Sequence, residues 1–256
     1  MSNPVIVERE GPVTIVTLNR PERRNAVDAP TGAALRAAFE DFARDGDARV
    51  AVLTGAGGVF CAGADLKAVA AGTGAYEPDG PGWMGPTRMD TGKPVIAAVE
   101  GPAVAGGLEL ALWADLRIAS ATALFGVFCR RWGVPLVDGG TVRLPRLIGH
   151  SRAMDLILTG RAVEAKEAFE IGLANRLAPA GGAREAAVAL ALQIARFPQD
   201  CLRIDRDSAR GQWGLDEAEA LRREGRGAGA AILAAAKAGA ARFAAGRGRG
   251  GDFDDL

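Results

Sequence analysis

The chain has 256 residues, enough to bury one substantial core, and its 31 lysines and arginines balance 31 aspartates and glutamates. A net charge of zero gives no support to general nucleic-acid or membrane-surface binding. No apolar run approaches the ~20 residues that span a bilayer, Met1-Ser2-Asn3-Pro4-Val5 lacks a secretory pattern, and Cys61, Cys129 and Cys201 fit no metal spacing, so the cytoplasm is the expected location.

Val13-Thr14-Ile15-Val16-Thr17-Leu18 is rich in β-branched residues and stops at Asn19-Arg20-Pro21, which predicts a strand and a turn. Asp28 and Pro30 suit a helix start, and Leu35, Ala38, Phe39 and Phe42 follow at helical spacing. Val50-Ala51-Val52-Leu53-Thr54 reads as a short buried strand halted by Gly55-Ala56-Gly57-Gly58. Val95-Ile96-Ala97-Ala98-Val99 repeats the pattern before Gly101-Pro102, and Leu116-Arg117-Ile118-Ala119 adds another strand. Strand, glycine turn and helix thus recur, which predicts an α/β architecture whose turns gather on one side.

Residues 70–92 break that rhythm with glycines and prolines, yet carry Trp83, Met84 and Met89. This stretch is either a surface flap or a mobile wall for an apolar substrate tail. From about residue 183 onward the pattern is helical, with Ala187, Leu190, Ala191, Ile194 and Ala195 on one face and a helix-favouring run from Ala228 to Ala241. The expected division is a core over 1–195, then a helical region over 196–256 that ends in a flexible basic tail, Arg242 to Gly251. That tail is either solvated or reaches ligand phosphates.

Two glycine-opened turns carry the chemical signal. One is Val59-Phe60-Cys61-Ala62-Gly63-Ala64-Asp65-Leu66, and the other runs from Glu100-Gly101-Pro102 to Gly106-Gly107-Leu108-Glu109-Leu110. Each follows an apolar run and opens a helical one. Backbone N–H groups at helix starts have no intrahelical acceptor and donate readily to an anion. Two such donors aimed at one oxygen stabilise a thioester enolate or a tetrahedral oxyanion. The sole histidine, His150, stands where a turn meets a helix and reads as a cap neighbour. No HExxH or Walker A spacing occurs, which lowers metal and nucleotide-hydrolysis chemistry as readings.

With those turns in place, Leu18-Asn19-Arg20-Pro21, Asn25-Ala26, Phe60 to Leu66, Ala103 to Leu112, Phe125-Gly126 and Gly139-Gly140-Thr141-Val142-Arg143-Leu144 occur in order. So do Ala153 to Gly160 and Ala168 to Leu173. Together they resemble the crotonase (enoyl-CoA hydratase/isomerase) superfamily over most of the chain. The resemblance implies a crotonase-like α/β spiral of ββα units with a C-terminal helical trimerisation region. It implies a homotrimer or dimer of trimers and an acyl-CoA substrate, with no cofactor beyond that substrate's coenzyme A and no metal. Ala64 and Gly106 would supply the oxyanion-hole N–H groups, each contributing roughly 3–4 kcal/mol to the transition state. Backbone groups around Arg23, Arg24, Ala62, Ala64, Asp65, Leu66 and Lys67 would hold the nucleotide end of the coenzyme A.

The resemblance also makes Glu109 one of a hydratase's two carboxylates. It lies three residues after Gly106, on the same helical side. Cys129 stands where the second carboxylate is expected, which removes one general acid–base worth a factor of ~10²–10⁴. Three alternatives remain at this point. Asp138 is either a further catalytic carboxylate or a cap on the helix opened by Gly139. Cys129 is either an inert buried thiol or a weak acid or nucleophile favoured by Arg130 and Arg131. Glu109 alone would support an acyl-CoA isomerase or racemase. A non-catalytic acyl-CoA-binding protein is a different class of answer, and RNA binding is a third, disfavoured by the neutral charge.

Overall fold

The first helix and the strands around it show how local sequence sets the frame in this computed structural model, which describes residues 3–73, 76–231 and 235–248. Strand β1 (Val5–Glu10) forms a hairpin with β2 (Val13–Leu18) in antiparallel register, Val5 opposite Leu18. The charged VIVERE sequence of β1 suits an edge strand, and for that reason it gives no alternating signal. All six residues of β2 are buried, as a strand covered on both faces requires. Helix α1 (Ala29–Arg44) starts where the Asp28 carboxylate accepts the Thr31 N–H at 3.0 Å. It buries Leu35, Ala38, Phe39 and Phe42, and burying each large side chain contributes roughly 1.5–3 kcal/mol.

Strands β3 (Val50–Gly55), β4 (Val95–Val99) and β6 (Leu116–Ser120) continue the sheet in parallel, and β9 (Arg176–Ala178) closes it. The order is β1-β2-β3-β4-β6-β9. A smaller sheet has the order β5-β7-β8, from β5 (Pro102–Val104), β7 (Leu124–Gly126) and β8 (Val163–Glu164). Each of β4 and β6 is followed at once by its short companion, β5 and β7. Successive turns of chain therefore lay one strand in each sheet. This is the spiral implied by the resemblance. Cys61 joins the small sheet through an isolated parallel bridge to Ala103.

Helix α2 (Leu66–Ala70) follows the first turn and α3 (Gly106–Trp113) follows the second. Helix α3 buries seven of its eight residues, from Gly107 to Trp113. Its Trp113 ring stands edge-on to Phe39 of α1, with centroids 4.7 Å apart. Helices α4 (Gly140–Ile148), α5 (His150–Thr159) and α6 (Ala165–Glu170) complete this part of the chain.

Contacts divide the chain into residues 1–191 and 192–256. Helix α7 spans Ala183–Ala195. The second unit carries α8 (Gln199–Gly211), α9 (Glu217–Ala231) and α10 (Lys237–Ala244) among its described residues. Arg249, Gly250 and Gly251 of the basic tail lie outside the described residues. No helix among the described residues is long and apolar enough to cross a membrane.

Candidate active site

The two glycine turns are knitted together by one residue. The Cys61 N–H donates to Pro102 O at 2.9 Å, and the Val104 N–H donates to Cys61 O at 3.0 Å. Gly107 packs so closely on the Cys61 carbonyl that a β-carbon there has no room. Gly63 takes φ +94°, and an added β-carbon would stand 2.8 Å from the Gly106 nitrogen. Glycine at 63 therefore satisfies both a left-handed backbone and a close approach.

Both expected donors border one cavity. Val27 exchanges bonds with Gly63 O and the Asp65 N–H, each at 2.8 Å. Because backbone groups alternate along an extended segment, the Ala64 N–H points away from Val27. Gly106 opens α3, so its N–H lacks an intrahelical acceptor. Ala64 and Gly106 both line a cavity of about 430 Å³. Between the turns, Ala105 holds φ 54° and ψ −124°, a conformation that costs a non-glycine residue on the order of 1–3 kcal/mol. Sequence gave no sign of that strain.

Glu109 reaches the same cavity from α3 although only 2% of its surface is exposed. Its Oε1 accepts the N–H groups of Asp138 and Gly140, both at 2.8 Å. Burial pushes its carboxyl up to about 7. The Gly140 N–H opposes that shift and the Asp138 charge adds to it. A buried carboxyl poised near neutrality can take a proton and return it. The two N–H donors that position it come from the α4 entry, and nothing in the sequence pattern around residues 138–140 marked that role.

Asp138 lines the cavity too, but its carboxylate is committed to the 82–87 segment. Oδ1 accepts the Met84 N–H at 3.1 Å and the Thr87 hydroxyl at 2.5 Å. It does not cap α4: Gly139 is the N-cap residue, with no side-chain cap bond. The cap alternative fails because Gly139, at φ 97°, takes the N-cap position and the Asp138 carboxylate is bonded to the flap instead. Arg143 reinforces the join, donating to Asp138 O at 2.9 Å and Thr87 O at 2.6 Å.

Within residues 76–92 only Met84 to Thr87 and Thr91 are buried, and three residues of the stretch reach the cavity. Tyr76, Trp83 and Met84 line the cavity, and the Trp83 indole donates to Val27 O at 3.0 Å. Met89 lies elsewhere, packed on the core with its carbonyl accepting the Trp113 indole N–H at 2.9 Å.

Cys129 sits buried in a 3-10 turn, Phe128–Trp132, and lines the cavity. Its flanking arginines do not create a thiolate. Burial pushes the thiol up, the Glu109 charge pushes it further, and Arg130 only partly opposes them. Phe128 and Trp132 of the same turn also line the cavity. Their flanking of Cys129 was visible in sequence, but no periodicity pointed them inward.

The residues expected to hold coenzyme A lie partly in the cavity wall and partly on the surface beyond it. Ala62, Ala64 and Leu66 line the cavity, whereas Arg23, Arg24 and Lys67 are exposed and outside its lining. The Arg24 carbonyl accepts the Ala62 N–H at 3.0 Å. The Asp65 carboxylate pairs with Arg20 at 3.2 Å and accepts the Lys67 N–H at 3.1 Å, capping α2. His150 is exposed at the start of α5 and is not part of the cavity wall. Among the described residues, no group of three or more His, Cys, Asp or Glu is placed to hold a metal.

Comparison with known proteins gives a consistent set. Residues 8–245 match the family model described as enoyl-CoA hydratase/isomerase. The chain is 43% identical over 197 residues to enoyl-CoA hydratase EchA19 of Mycobacterium tuberculosis, covering 73% of this chain and 72% of that protein. It is 41% identical over 197 residues to a carnitinyl-CoA dehydratase of Salmonella typhi, covering 76% and 75%. The crystal structure of enoyl-CoA hydratase EchA1 from Mycobacterium marinum superposes with a TM-score of 0.89 at 37% identity, over 94% of this chain and 95% of that one.

Proposed function

This chain belongs to the enoyl-CoA hydratase/isomerase family, and we propose that it adds water reversibly to a 2-enoyl-CoA thioester through an oxyanion-stabilised enolate. The supporting observation is a buried carboxyl with a value near 7, Glu109, sharing one cavity with the amides of Ala64 and Gly106. The thioester carbonyl oxygen receives those two N–H groups. Ionised Glu109 takes a proton from water as the oxygen bonds to C3, and the C2=C3 electron pair moves into the thioester as an enolate. The protonated Glu109 then delivers that proton to C2. Overall a hydrogen and a hydroxyl are added, and the enzyme is regenerated.

Cys129 stands where a second carboxylate would share this work. One carboxyl therefore serves both steps, and hydration runs slower than a two-carboxylate site allows, by a factor of ~10²–10⁴. A single carboxyl also suits movement of a double bond between carbons, which makes isomerisation or racemisation the second reading. The reaction needs no cofactor beyond the substrate's own coenzyme A. Assembly as a homotrimer or a pair of trimers belongs to the same reading.

The test is incubation with crotonyl-CoA, following loss of the conjugated thioester absorbance. Turnover that Glu109→Gln abolishes, with acyl-CoA binding retained, supports hydration. Turnover of a β,γ-enoyl-CoA alone moves the assignment to isomerisation. Tight binding with no turnover of any thioester makes the protein an acyl-CoA binder.

A further inference from the structure

Four aromatic side chains, Tyr76, Trp83, Phe128 and Trp132, line the cavity. Such a set suits two chemistries: a cage around a quaternary ammonium, or an apolar wall around an uncharged acyl group. Two of these rings already carry the protein's own cations. The Arg131 guanidinium lies 4.2 Å from the Phe128 ring centroid, and that of Arg88 lies 6.0 Å from Tyr76. Arg131 itself borders the cavity, so a cationic acyl group would meet a like charge where it needs an open ring face.

One oxygen of each carboxylate in the wall is already held by the protein's own donors. Glu109 Oε1 accepts two N–H groups, and Asp138 Oδ1 accepts a further N–H and a hydroxyl. Much of the remaining wall is aliphatic, with Leu66, Val69, Met84, Val134, Leu136 and Val137. The cavity has a volume of about 430 Å³, which the thioester beside Ala64 and Gly106 shares with the acyl group.

We propose that this site takes a bulky, uncharged, apolar acyl group, branched or alicyclic, and that Arg131 stacked on Phe128 excludes acyl groups bearing a quaternary ammonium. The inference rests on the acyl-CoA reading above and names its substrate class.

Binding of saturated, unreactive thioesters tests it apart from catalysis. Dissociation constants are measured by calorimetry for 3-cyclohexylpropanoyl-CoA, butanoyl-CoA, 4-trimethylammoniobutanoyl-CoA and glutaryl-CoA. The cyclohexyl thioester is expected to bind at least tenfold more tightly than each of the other three. Arg131→Glu is expected to narrow its lead over the trimethylammonium thioester at least tenfold.

Equal or tighter binding of the trimethylammonium thioester to the parent protein overturns the proposal. So does tightest binding of glutaryl-CoA, which would make Arg131 an anion partner. Should the variant fail to fold, the binding order of the parent protein still decides. Turnover is measured separately with 3-cyclohexylacryloyl-CoA. The expected binding order without turnover of any enoyl thioester keeps the specificity and removes the hydratase reading. Turnover of crotonyl-CoA with no binding preference does the reverse.

Discussion

Asp138 gives Glu109 its main chain and keeps its side chain for the flap. Its N–H donates to Glu109 Oε1 at 2.8 Å, while its own Oδ1 accepts the Met84 N–H and the Thr87 hydroxyl. The group proposed to move protons and the loop that walls the cavity are thereby held by the same residue.

Replacing Asp138 separates these roles. Asp138→Asn retains an acceptor for the flap but removes the charge that helps raise the Glu109 carboxyl. The midpoint of the pH–rate profile is expected to move to lower pH, with KM nearly unchanged. Asp138→Ala loses both flap bonds and is expected to raise KM as well. An unchanged pH midpoint in the Asn variant would count against this coupling.

The pH dependence of the parent enzyme follows from Glu109. Its carboxyl is pushed up to about 7, and hydration needs the ionised form. Below that value kcat/KM should fall about tenfold per pH unit, and above it should level off. A profile flat from pH 5 to 8 would remove Glu109 as the base.

Stability should run the opposite way. The folded-state value of about 7 lies above the reference 4.5, so the folded protein holds this proton over a range where the unfolded chain has released it. Stability from this group is present below 4.5 and is lost as pH rises towards 7. Glu109→Gln escapes that loss. Its stability relative to the parent is expected to rise between pH 5 and pH 8, by about 3 kcal/mol at most. Chemical denaturation at both pH values checks the sign.

Gly63→Ala probes the oxyanion site without touching Glu109. The added β-carbon would stand 2.8 Å from the Gly106 nitrogen and would require φ near +94°. Loss of one donor is expected to lower kcat by ~10²–10³. Circular dichroism and acyl-CoA binding show whether the fold survives, so that an effect on kcat is separable from unfolding.

Cys129→Glu restores a second carboxyl to the cavity wall. Hydration of crotonyl-CoA is expected to rise by ~10²-fold or more if that group is what limits the reaction. A variant that folds and hydrates no faster would show that the limit lies elsewhere.

The sequence made the frame legible because its signals are local. The β-branched runs at 13–18, 50–54 and 95–99 and the Asp28 cap each specify their own element. Gly106 and Glu109 were legible for a similar reason, since helical spacing brings them together. What stayed hidden depends on packing between distant segments. The strands Pro102–Val104 and Leu124–Gly126 are too short to carry a period, and they exist because each pairs with the other. The inward faces of Tyr76 and Trp132 arise in irregular stretches, where no repeat tells one side from another. The Asp138 carboxylate chose donors 51 and 54 residues away rather than the adjacent helix.

The most direct test of the oxyanion site is the crystal structure of Glu109→Gln with an enoyl-CoA bound. The thioester carbonyl oxygen is expected within about 2.7–3.1 Å of both the Ala64 and the Gly106 nitrogens, with C2 and C3 beside residue 109. A thioester bound elsewhere, or a carbonyl touching neither amide, would contradict the assignment.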